Sequence, residues 1–288
     1  MYYTTLVKAS YYAPRGRHRL MHLGMLIAQR YLRPEDRLIG IMGDAGAGKS
    51  LIIRGMFPGL VLTNDDDGVN VRPLPVLDDA ESEFFRTHTY HLDVRFEMAF
   101  TQLWELADAV KKAVSAGRRV VVEHFELLYP LLNINAEMLI GIGEEVVVTD
   151  PTLFGPFPLE IAEEAYQSLI YRKMAHSAED LTGIVFEQMG FEPPTFHSDV
   201  RRGFVVEFTR KPEVDLEEVE RRVLDLIAQD LPISVHNEQS ILIGSERLDC
   251  TGPRIHMSST GKIERFRLEK NFHYSPITKT FMLAGRVG

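Results

Sequence analysis

The chain has 288 residues, of which 45% are hydrophobic and 25% are charged, and its formal net charge at pH 7 is −9. This composition is typical of a globular protein long enough for two domains, and the negative charge argues against a protein that coats nucleic acid through bulk electrostatics. The single cysteine excludes an internal disulfide. No run of about 18 apolar residues is present, and the N-terminus lacks a secretion-signal pattern. We therefore expect a cytoplasmic protein without a membrane segment.

The first predicted element is an amphipathic helix. Its apolar residues recur at helical spacing between Arg19 and Tyr31. Three arginines lie before or at its start, and we expect them either to face solvent or to contact a nucleotide or RNA. They are Arg15, Arg17 and Arg19. A short buried strand is predicted next, at residues 38–42.

A complete Walker A motif of the form G-x-x-x-x-G-K-S follows this strand, and an apolar helix follows the motif. The glycines let backbone N–H groups curl around a β-phosphate, the lysine reaches the β- and γ-phosphate oxygens, and the serine hydroxyl ligates Mg²⁺. A chance match in a glycine-rich turn is the alternative, and the surrounding strand and helix argue against it. The sequence thus predicts a nucleotide site for ATP and Mg²⁺. The predicted binding residues are Gly43, Asp44, Ala45, Gly46, Ala47, Gly48, Lys49 and the magnesium ligand Ser50.

A second short strand is predicted at residues 59–63, and an acidic run follows it. Asp65 and Asp66 would then lie at the carboxyl end of a parallel strand, where open α/β sheets bind their ligands. Either aspartate could activate a substrate hydroxyl or orient magnesium-bound water. An Asp-rich turn closed by Gly68 is the alternative interpretation.

Further along the chain, a helix is predicted from about residue 98 to residue 116. The apolar strand at residues 118–124 carries an acid near its end, a pattern typical of a Walker B strand. That acid, Glu123, is predicted to orient water or to lie beside the metal, and a structural ion pair is the alternative. Two strands at residues 138–142 and 145–149 close this part of the chain.

A stretch with three prolines and a glycine, residues 150–158, is the predicted domain boundary. It separates a nucleotide-binding domain, residues 1–155, from a second domain, residues 156–288. The boundary is supported by a change in hydrophobic periodicity on its two sides.

The second predicted domain is of the α+β class. One or two helices are expected between residues 159 and 189, and a strand hairpin between residues 194 and 210. A helix capped by Asp215 extends to residue 229. The remaining chain, residues 233–287, consists mostly of predicted short strands.

Three motifs of the first predicted domain occur in an order typical of one known family. They are the phosphate-binding motif, a His-x-Asp-x-Arg stretch and the acid-ended strand, the last two carried by His91, Asp93, Arg95 and Glu123. The series resembles the bacterial ATPase family that assists threonylcarbamoyl modification of tRNA adenosine. The resemblance covers residues 20–150 and implies an α/β P-loop NTPase domain with a mostly parallel sheet. It also implies that Lys49 holds ATP, and that Asp93 and Glu123 serve magnesium and hydrolysis.

The segment after the second predicted strand departs from this family. Where the family has Ser-Pro-Thr-Phe, this chain has Thr63, Asn64, Asp65 and Asp66, which are closer in character to the substrate aspartates of uridine-kinase-like enzymes. The sequence shows no arginine-rich lid of the kind those kinases use. ATPase is therefore preferred narrowly over a nucleoside-like small-molecule kinase, in which Asp65 or Asp66 would accept the proton of a substrate hydroxyl.

Six segments of the second predicted domain carry a separate resemblance. They are residues 176–181, the predicted helix 215–229, and residues 231–233, 249–254, 259–263 and 266–268. In this order they resemble the second additional, editing-like domain of threonyl- and alanyl-tRNA synthetases, which hydrolyses mischarged tRNA. The resemblance covers about residues 165–275. It implies an α+β fold and a ligand such as tRNA or an aminoacyl or nucleoside-like small molecule.

In that family, His-x-x-x-His and Cys-x-x-x-His arrange four ligands for a metal-assisted or water-positioning site. This chain keeps His176 and Cys250 but has Asp180 and Arg254 at the other two positions. We therefore expect no stoichiometric zinc, and an ion pair between Asp180 and Arg254 in place of the metal. One alternative is a retained fold whose site is inactive or repurposed, and the alternative to the ion pair is that both side chains face solvent. His256 could be a ligand only if the loop takes a different path.

Three functions remain open at the level of sequence. The leading one is an ATP-binding P-loop NTPase joined to an editing-like domain, which hydrolyses ATP in a tRNA- or aminoacyl-related process. The second is a nucleoside-like small-molecule kinase, and the third is a nucleotide-gated assembly factor without substrate chemistry of its own. Residues 245–288 contain eight basic and four acidic side chains, which leaves a modest surface for RNA. The sequence leaves the oligomeric state open.

Overall fold

The computed structural model describes residues 5–63, 74–197 and 200–288. These residues form a mixed α/β protein with two compact units. The first unit comprises the described residues of Met1–Tyr11 and Leu20–Gln167, and the second comprises those of Tyr12–Arg19 and Ser168–Gly288. The last division between the units lies after Gln167, within a long helix, whereas the predicted boundary lay after residue 155 and did not assign Tyr12–Arg19 to the second unit.

The first unit contains a mixed six-stranded sheet. Its strands are β1 (Ala9–Tyr12), β2 (Leu38–Met42), β3 (Thr89–Asp93), β4 (Arg119–Glu123), β5 (Met138–Ile142) and β6 (Glu145–Thr149), in the spatial order β1-β6-β5-β2-β4-β3. The four strands β3, β4, β2 and β5 are parallel, whereas β6 is antiparallel to β5. Every residue of β2 is buried, which explains its continuous apolar sequence. The strand predictions that correspond to β2, β4, β5 and β6 are confirmed.

The strand predicted at residues 59–63 is wrong. Gly59 has a φ of 87°, and residues 60–63 have no strand conformation. The backbone N–H of Thr63 donates to the imidazole of His91, over 3.1 Å, instead of to a neighbouring strand.

Helices cover the sheet of the first unit. They are α1 (Arg17–Tyr31), α2 (Lys49–Met56), α3 (Pro75–Ser82), α4 (Val94–Glu97), α5 (Leu103–Ser115), α6 (Phe125–Leu132) and the first part of α7 (Pro158–Gln188). The prediction of α1 is confirmed, but the helix predicted from residue 98 begins later. The carboxylate of Glu105 accepts the backbone N–H of Gln102, over 3.1 Å, and so starts a new helix at Leu103. The sequence analysis did not predict β1, β3, α3, α4 or α6.

Two glycines allow α1 and α2 to pack closely. A Cβ atom on Gly24 would lie 2.3 Å from the carbonyl oxygen of Ile52, and one on Gly55 would lie 2.0 Å from that of Met21. Both distances are far below van der Waals contact, so only glycine fits at these positions. This close packing fixes the position of α2, whose first turn belongs to the Walker A-type motif.

The second unit combines the remainder of α7 with α8 and two antiparallel sheets. Its elements are β7 (Thr195–His197), β8 (Gly203–Phe208), α8 (Leu216–Ala228), β9 (Ile233–Asn237), β10 (Ser240–Ile243), β11 (Glu246–Asp249), β12 (Arg267–Leu268), β13 (His273–Ser275) and β14 (Thr280–Arg286). One sheet has the order β12-β14-β8-β7, with β13 on β14, and the other has the order β11-β10-β9. Asp215 caps α8, as predicted. The core packs Phe186 of α7 against Phe208 of β8, with ring centroids 4.8 Å apart.

The α+β composition predicted for this part of the chain is confirmed by these elements. The single helix α7 occupies the stretch where one or two helices were expected. Within the described ranges, no helix combines the length and apolar character needed to cross a bilayer.

Candidate functional site

The loop predicted to bind phosphate joins β2 to α2. Gly43, Gly46 and Gly48 have φ angles of 155°, 78° and 103°, values that side-chain-bearing residues rarely adopt. A Cβ atom on Gly48 would also lie 2.8 Å from the side chain of Leu20. Helix α2 begins directly after Gly48, so the loop leads into the backbone N–H groups of a helix N-terminus. The glycines of the motif therefore give the loop its shape.

Lys49 is folded back over this loop and is only 7% exposed. Its Nζ donates to the backbone oxygens of Gly43, over 3.0 Å, and Asp44, over 3.3 Å. The same atom lies 3.6 Å from Oε2 of Glu123. The ammonium group is therefore held mainly by neutral carbonyl groups, with one carboxylate nearby.

Glu123 ends strand β4 and is 1% exposed. Its Oε1 atom lies 3.1 Å from Nε2 of His91 and accepts a hydrogen bond from Oγ of Ser50 over 3.4 Å. Burial alone would raise the pKa of this carboxyl. The hydrogen bond from His91, together with the nearby charge of Lys49, outweighs burial and holds the pKa of Glu123 below its ordinary value. The side chain is therefore a buried carboxylate beside the loop.

His91 connects this carboxylate to the chain at Thr63. The Nδ1 atom of His91 accepts the backbone N–H of Thr63, because an N–H group can only donate. The neutral ring then carries its proton on Nε2 and donates it to Glu123. The sequence analysis included His91 in a resemblance but gave it no role. Its bond to Glu123 follows from the pairing of β3 with β4 and leaves no local signal in the sequence.

Asp93 ends strand β3 and is paired in register with Glu123 on β4. Its Oδ1 accepts the backbone N–H of Phe96 over 3.1 Å, so Asp93 caps the short helix α4. Nearby, NH1 of Arg95 lies 3.4 Å from Oδ1 of Asp44 in the loop. The structure thus places Asp93 and Glu123 at the same edge of the sheet. Asp65 and Asp66 lie outside the described residues, and their roles stay predictions.

A second group of charged side chains lies within the second unit, around Arg15. This arginine is 5% exposed, although it belongs to a polar stretch of sequence. NH1 of Arg15 donates to Glu179 over 2.5 Å, and NH2 donates to Asp180 over 2.7 Å. NH2 also lies 2.8 Å from Sγ of Cys250. The structure therefore excludes a solvent-facing role for Arg15. The sequence analysis missed Glu179 altogether.

His256 completes this group, which we call the Arg15 cluster: Arg15, His176, Glu179, Asp180, Cys250 and His256. The Nδ1 atom of His256 lies 3.2 Å from the carbonyl oxygen of Pro253, and Nε2 lies 2.8 Å from Oδ2 of Asp180. Both acceptors require a proton on the nitrogen, so the ring is an imidazolium. Burial alone would lower its pKa, but the hydrogen bonds and the charge of Asp180 raise the pKa of His256 to about 9.

The geometry does not form a nucleophilic relay of the Cys-His-Asp type. Such a relay bonds the nucleophile and the carboxylate to opposite nitrogens of the ring. In the Arg15 cluster, Nε2 of His256 faces both Asp180, at 2.8 Å, and Sγ of Cys250, at 3.8 Å. The same nitrogen cannot accept a proton from the thiol while it donates to the carboxylate.

The two carboxyl groups of the cluster differ in protonation. Burial raises the pKa of both, but Asp180 receives hydrogen bonds from Arg15 and His256, and its pKa is lowered overall. Glu179 is bonded by Arg15 at one oxygen, while Oε1 is buried without a hydrogen-bond partner among the described residues. Burial therefore prevails at Glu179 and raises its pKa to about 7.

His176 is the remaining imidazole of the cluster. Its side chain is buried, and neither ring nitrogen has a hydrogen-bond partner in the part of the chain that the structure describes. Burial, together with the charges of Arg15 and Arg172, holds the pKa of His176 well below its ordinary value. The ring is therefore neutral, and its centroid lies 6.3 Å from that of His256.

The ion pair predicted between Asp180 and Arg254 is wrong. Asp180 is buried and is bonded by Arg15 and His256, whereas Arg254 is exposed. The spacing in the sequence aligned Arg254 with a ligand position of the resembled family. The arginine that reaches Asp180 instead comes from the segment before α1.

No model of a known protein family matches this chain, and no curated protein matches it. The two resemblances described above therefore stay predictions.

Proposed function

We propose that the first unit is a P-loop NTPase domain that binds ATP on residues 43–50 and hydrolyses it with Mg²⁺. One observation carries this proposal. A glycine-shaped loop at the start of α2 brings Lys49 and Ser50 against the buried carboxylate of Glu123. This combination of backbone donors, one ammonium group and one carboxylate suits the binding and cleavage of a triphosphate.

Binding would use groups that the loop already presents. The backbone N–H groups at the start of α2 would surround the β-phosphate. Lys49 would exchange its bonds to the carbonyl oxygens of Gly43 and Asp44 for bonds to β- and γ-phosphate oxygens. Because phosphate oxygens carry negative charge and carbonyl oxygens do not, the ammonium group is attracted more strongly to the phosphate, and this exchange favours the nucleotide.

Hydrolysis would depend on the acids at the edge of the sheet. Glu123, which His91 holds by a hydrogen bond, would orient the attacking water. Ser50 and Asp93 are the residues that would hold Mg²⁺, whose charge stabilises the β- and γ-phosphate oxygens during phosphoryl transfer. Hydroxyl and carboxylate oxygens are ligands that this hard cation prefers.

The role of the second unit in this proposal is supported only by sequence. Its resemblance to an editing-like domain favours a cytoplasmic process related to tRNA or to an aminoacyl or nucleoside-like small molecule. The hydrolysis of ATP would then accompany an action on that ligand.

The proposal is tested with ATP labelled on its γ-phosphate and the full chain. We expect release of labelled inorganic phosphate that requires Mg²⁺ and is lost in the variant Lys49→Ala. Lys112→Ala is the matched control, because Lys112 is an exposed lysine whose contact is with Asp108 on the same helix. Label transferred to an added nucleoside would favour the kinase, and binding without turnover would favour the assembly factor. Absence of ATP binding by calorimetry would refute all three.

A further inference from the structure

Three side chains of the Arg15 cluster have the donor types of a transition-metal site. A carboxylate oxygen of Asp180, Sγ of Cys250 and a ring nitrogen of His256 all lie within 4.8 Å of one another. Oxygen, sulfur and imidazole nitrogen are the usual ligands of zinc in proteins. His176 adds a buried imidazole with no hydrogen-bond partner among the described residues. By donor chemistry alone, the cluster fits a tetrahedral zinc-type site.

The hydrogen bonds of the cluster exclude that use. NH2 of Arg15 contacts both Asp180, at 2.6 Å, and Cys250, at 2.8 Å. Gly252 donates its backbone N–H to the same sulfur over 3.4 Å, and His256 donates to Asp180. A metal ion that bound both Asp180 and Cys250 would have to displace this guanidinium group, and the Nε2 lone pair of His256 that it needs is occupied by a proton.

The charges of the cluster also argue against a bound metal ion. Arg15 and the His256 imidazolium are two buried cations, and they face two carboxyl groups, Asp180 and Glu179. A divalent ion added to this set would lack compensating negative charge in a buried environment. A metal could bind only after the guanidinium had left and the imidazolium had lost a proton.

We propose that Arg15 is the resident cation of this cluster and that its guanidinium group occupies the place of a transition-metal ion. It joins three separate parts of the second unit: the segment before α1, helix α7 through Glu179 and Asp180, and the loop that begins at Cys250. The cluster therefore links these parts without a metal ion. Removal of the Arg15 guanidinium would leave a set of side chains able to bind zinc. This inference concerns the second unit alone and does not depend on the proposed ATPase activity.

Cobalt(II) is a suitable probe, because coordination by a thiolate gives it an absorption band that water-bound cobalt lacks. The experiment compares the full chain with Arg15→Met, which keeps an unbranched side chain but removes the charge and all donors. Arg17→Met is the matched control, because Arg17 is half-exposed and lies 3.8 Å from Glu238. We expect the unmodified protein and Arg17→Met to bind no cobalt. Arg15→Met should bind one equivalent with the thiolate band, and the additional change Cys250→Ser should abolish that band.

Arg15→Met leaves carboxyl groups without their cation and can unfold for that reason. Thermal unfolding measured with and without zinc tests the proposal if Arg15→Met is unstable. A melting temperature that rises with zinc in Arg15→Met, but not in Arg15→Met with Cys250→Ser, supports the proposal. Three results would overturn it: a thiolate–cobalt band or stoichiometric zinc in the unmodified protein, a folded Arg15→Met that binds no metal, and an unfolded Arg15→Met that zinc does not restore.

Discussion

Lys49 in the first unit and Arg15 in the second are both buried cations, but their partners differ. The ammonium group of Lys49 bonds to two backbone oxygens, at 3.0 and 3.3 Å, and its nearest carboxylate is 3.6 Å away. The guanidinium group of Arg15 makes contacts of 2.5 to 2.8 Å to two carboxyl groups and a thiol. In the proposed function Lys49 exchanges its neutral partners for phosphate, whereas Arg15 already bonds to two carboxyl groups and a thiol. The first arrangement suits a binding site, and the second suits an internal link.

The comparison extends to the residues around each cation. Glu123 is also buried, but it is held by one imidazole, His91, at the carboxyl end of a parallel strand, where open α/β folds bind ligands. Asp180 is held by both Arg15 and His256 within a cluster that has little exposed surface. Changes to the Arg15 cluster should therefore affect mainly stability, and changes near Lys49 should affect mainly nucleotide binding and turnover.

The largest expected effect is the loss of stability caused by Arg15→Ala. This change leaves Asp180 and Glu179 buried without their common cation, and removal of one partner from a buried ion pair costs roughly 3 to 5 kcal/mol. Urea denaturation of the full chain, followed by a probe in the second unit, measures the loss. The control Arg17→Ala should change the unfolding free energy by less than about 1 kcal/mol, because Arg17 is half-exposed. Equal stability of the two variants would contradict the assignment of Arg15 as a structural link.

The second effect is the loss of ATP affinity and turnover in Lys49→Ala. Lys49 carries the only positive side-chain charge between Gly43 and Ser50. Its removal should lower kcat/KM by roughly 100- to 1000-fold, as the loss of a group that stabilises transition-state charge does. Calorimetric titration with ATP and a phosphate-release assay measure the two quantities. Unchanged affinity in a folded Lys49→Ala protein would refute the phosphate-loop assignment.

The two acids at the edge of the sheet should affect turnover rather than binding. Asp93→Asn and Glu123→Gln each keep the size of the side chain but remove its charge. Because metal placement and water orientation act mainly in the transition state, we expect nucleotide affinity to be retained and kcat to fall by about 100-fold. Single-turnover hydrolysis measures the change. Near-normal hydrolysis in both variants would mean that other residues serve the reaction.

The Arg15 cluster should also make the stability of the second unit depend on pH. The pKa of Glu179 is raised to about 7 from an ordinary value of 4.5, chiefly by burial, so the native state keeps a proton that the unfolded chain loses. This contribution to stability is complete below pH 4.5 and is lost as the pH rises to 7. The contribution of His256 to stability also decreases as the pH rises, but over a higher range, since its pKa is raised to about 9 from 6.5. The contribution of His176 to stability changes in the opposite direction. Because the pKa of His176 is lowered, this contribution is lost as the pH falls below 6.5.

The variant Glu179→Gln isolates the first of these contributions. Its amide has no proton to lose, so its stability relative to the unmodified protein should rise by about 2 kcal/mol between pH 4.5 and pH 7. Glu187→Gln, at an exposed position of the same helix, should keep the pH dependence of the unmodified protein. Urea denaturation at several pH values provides the comparison. A constant difference between the unmodified protein and Glu179→Gln would exclude a raised pKa at Glu179.

Local sequence was sufficient to predict the conformation of the loop at residues 43–50. The glycines at positions 43, 46 and 48 determine the backbone shape by themselves, and the flanking apolar runs form β2 and α2 as expected. Buried strands such as β4 were equally clear, because a continuous apolar run marks a parallel strand covered on both faces.

Long-range pairing was not predictable in the same way. Arg15 is separated from Glu179 by 164 positions and from Cys250 by 235, and no local pattern indicates that it is buried. A polar residue of this type is usually solvated, so the sequence favoured the wrong environment. The strand expected at residues 59–63 failed for a related reason, since the side chain of His91 takes the backbone N–H of Thr63.

The smallest expected effect concerns His91, which acts on the proposed reaction through Glu123. Since Nδ1 accepts from Thr63, the ring presents its Nε2 proton to Glu123 and fixes the direction of that carboxylate. His91→Leu removes this donor and should lower kcat by roughly 10-fold, at the low end of the cost of losing an outer hydrogen-bond partner. The KM for ATP should change by less than about twofold, because the nucleotide contacts the loop and not the imidazole.

A conservative variant separates this positioning role from simple packing. The amide nitrogen of His91→Gln can donate to Glu123, so this variant should recover most of the lost kcat. His22→Leu is the control, because His22 is exposed on α1. If His91→Gln and His91→Leu lost activity equally, or if KM rose together with the fall in kcat, the imidazole would serve only to pack the strands. If His91→Gln restored turnover and His91→Leu did not, the contribution of His91 would be to orient the Glu123 carboxylate beside Lys49.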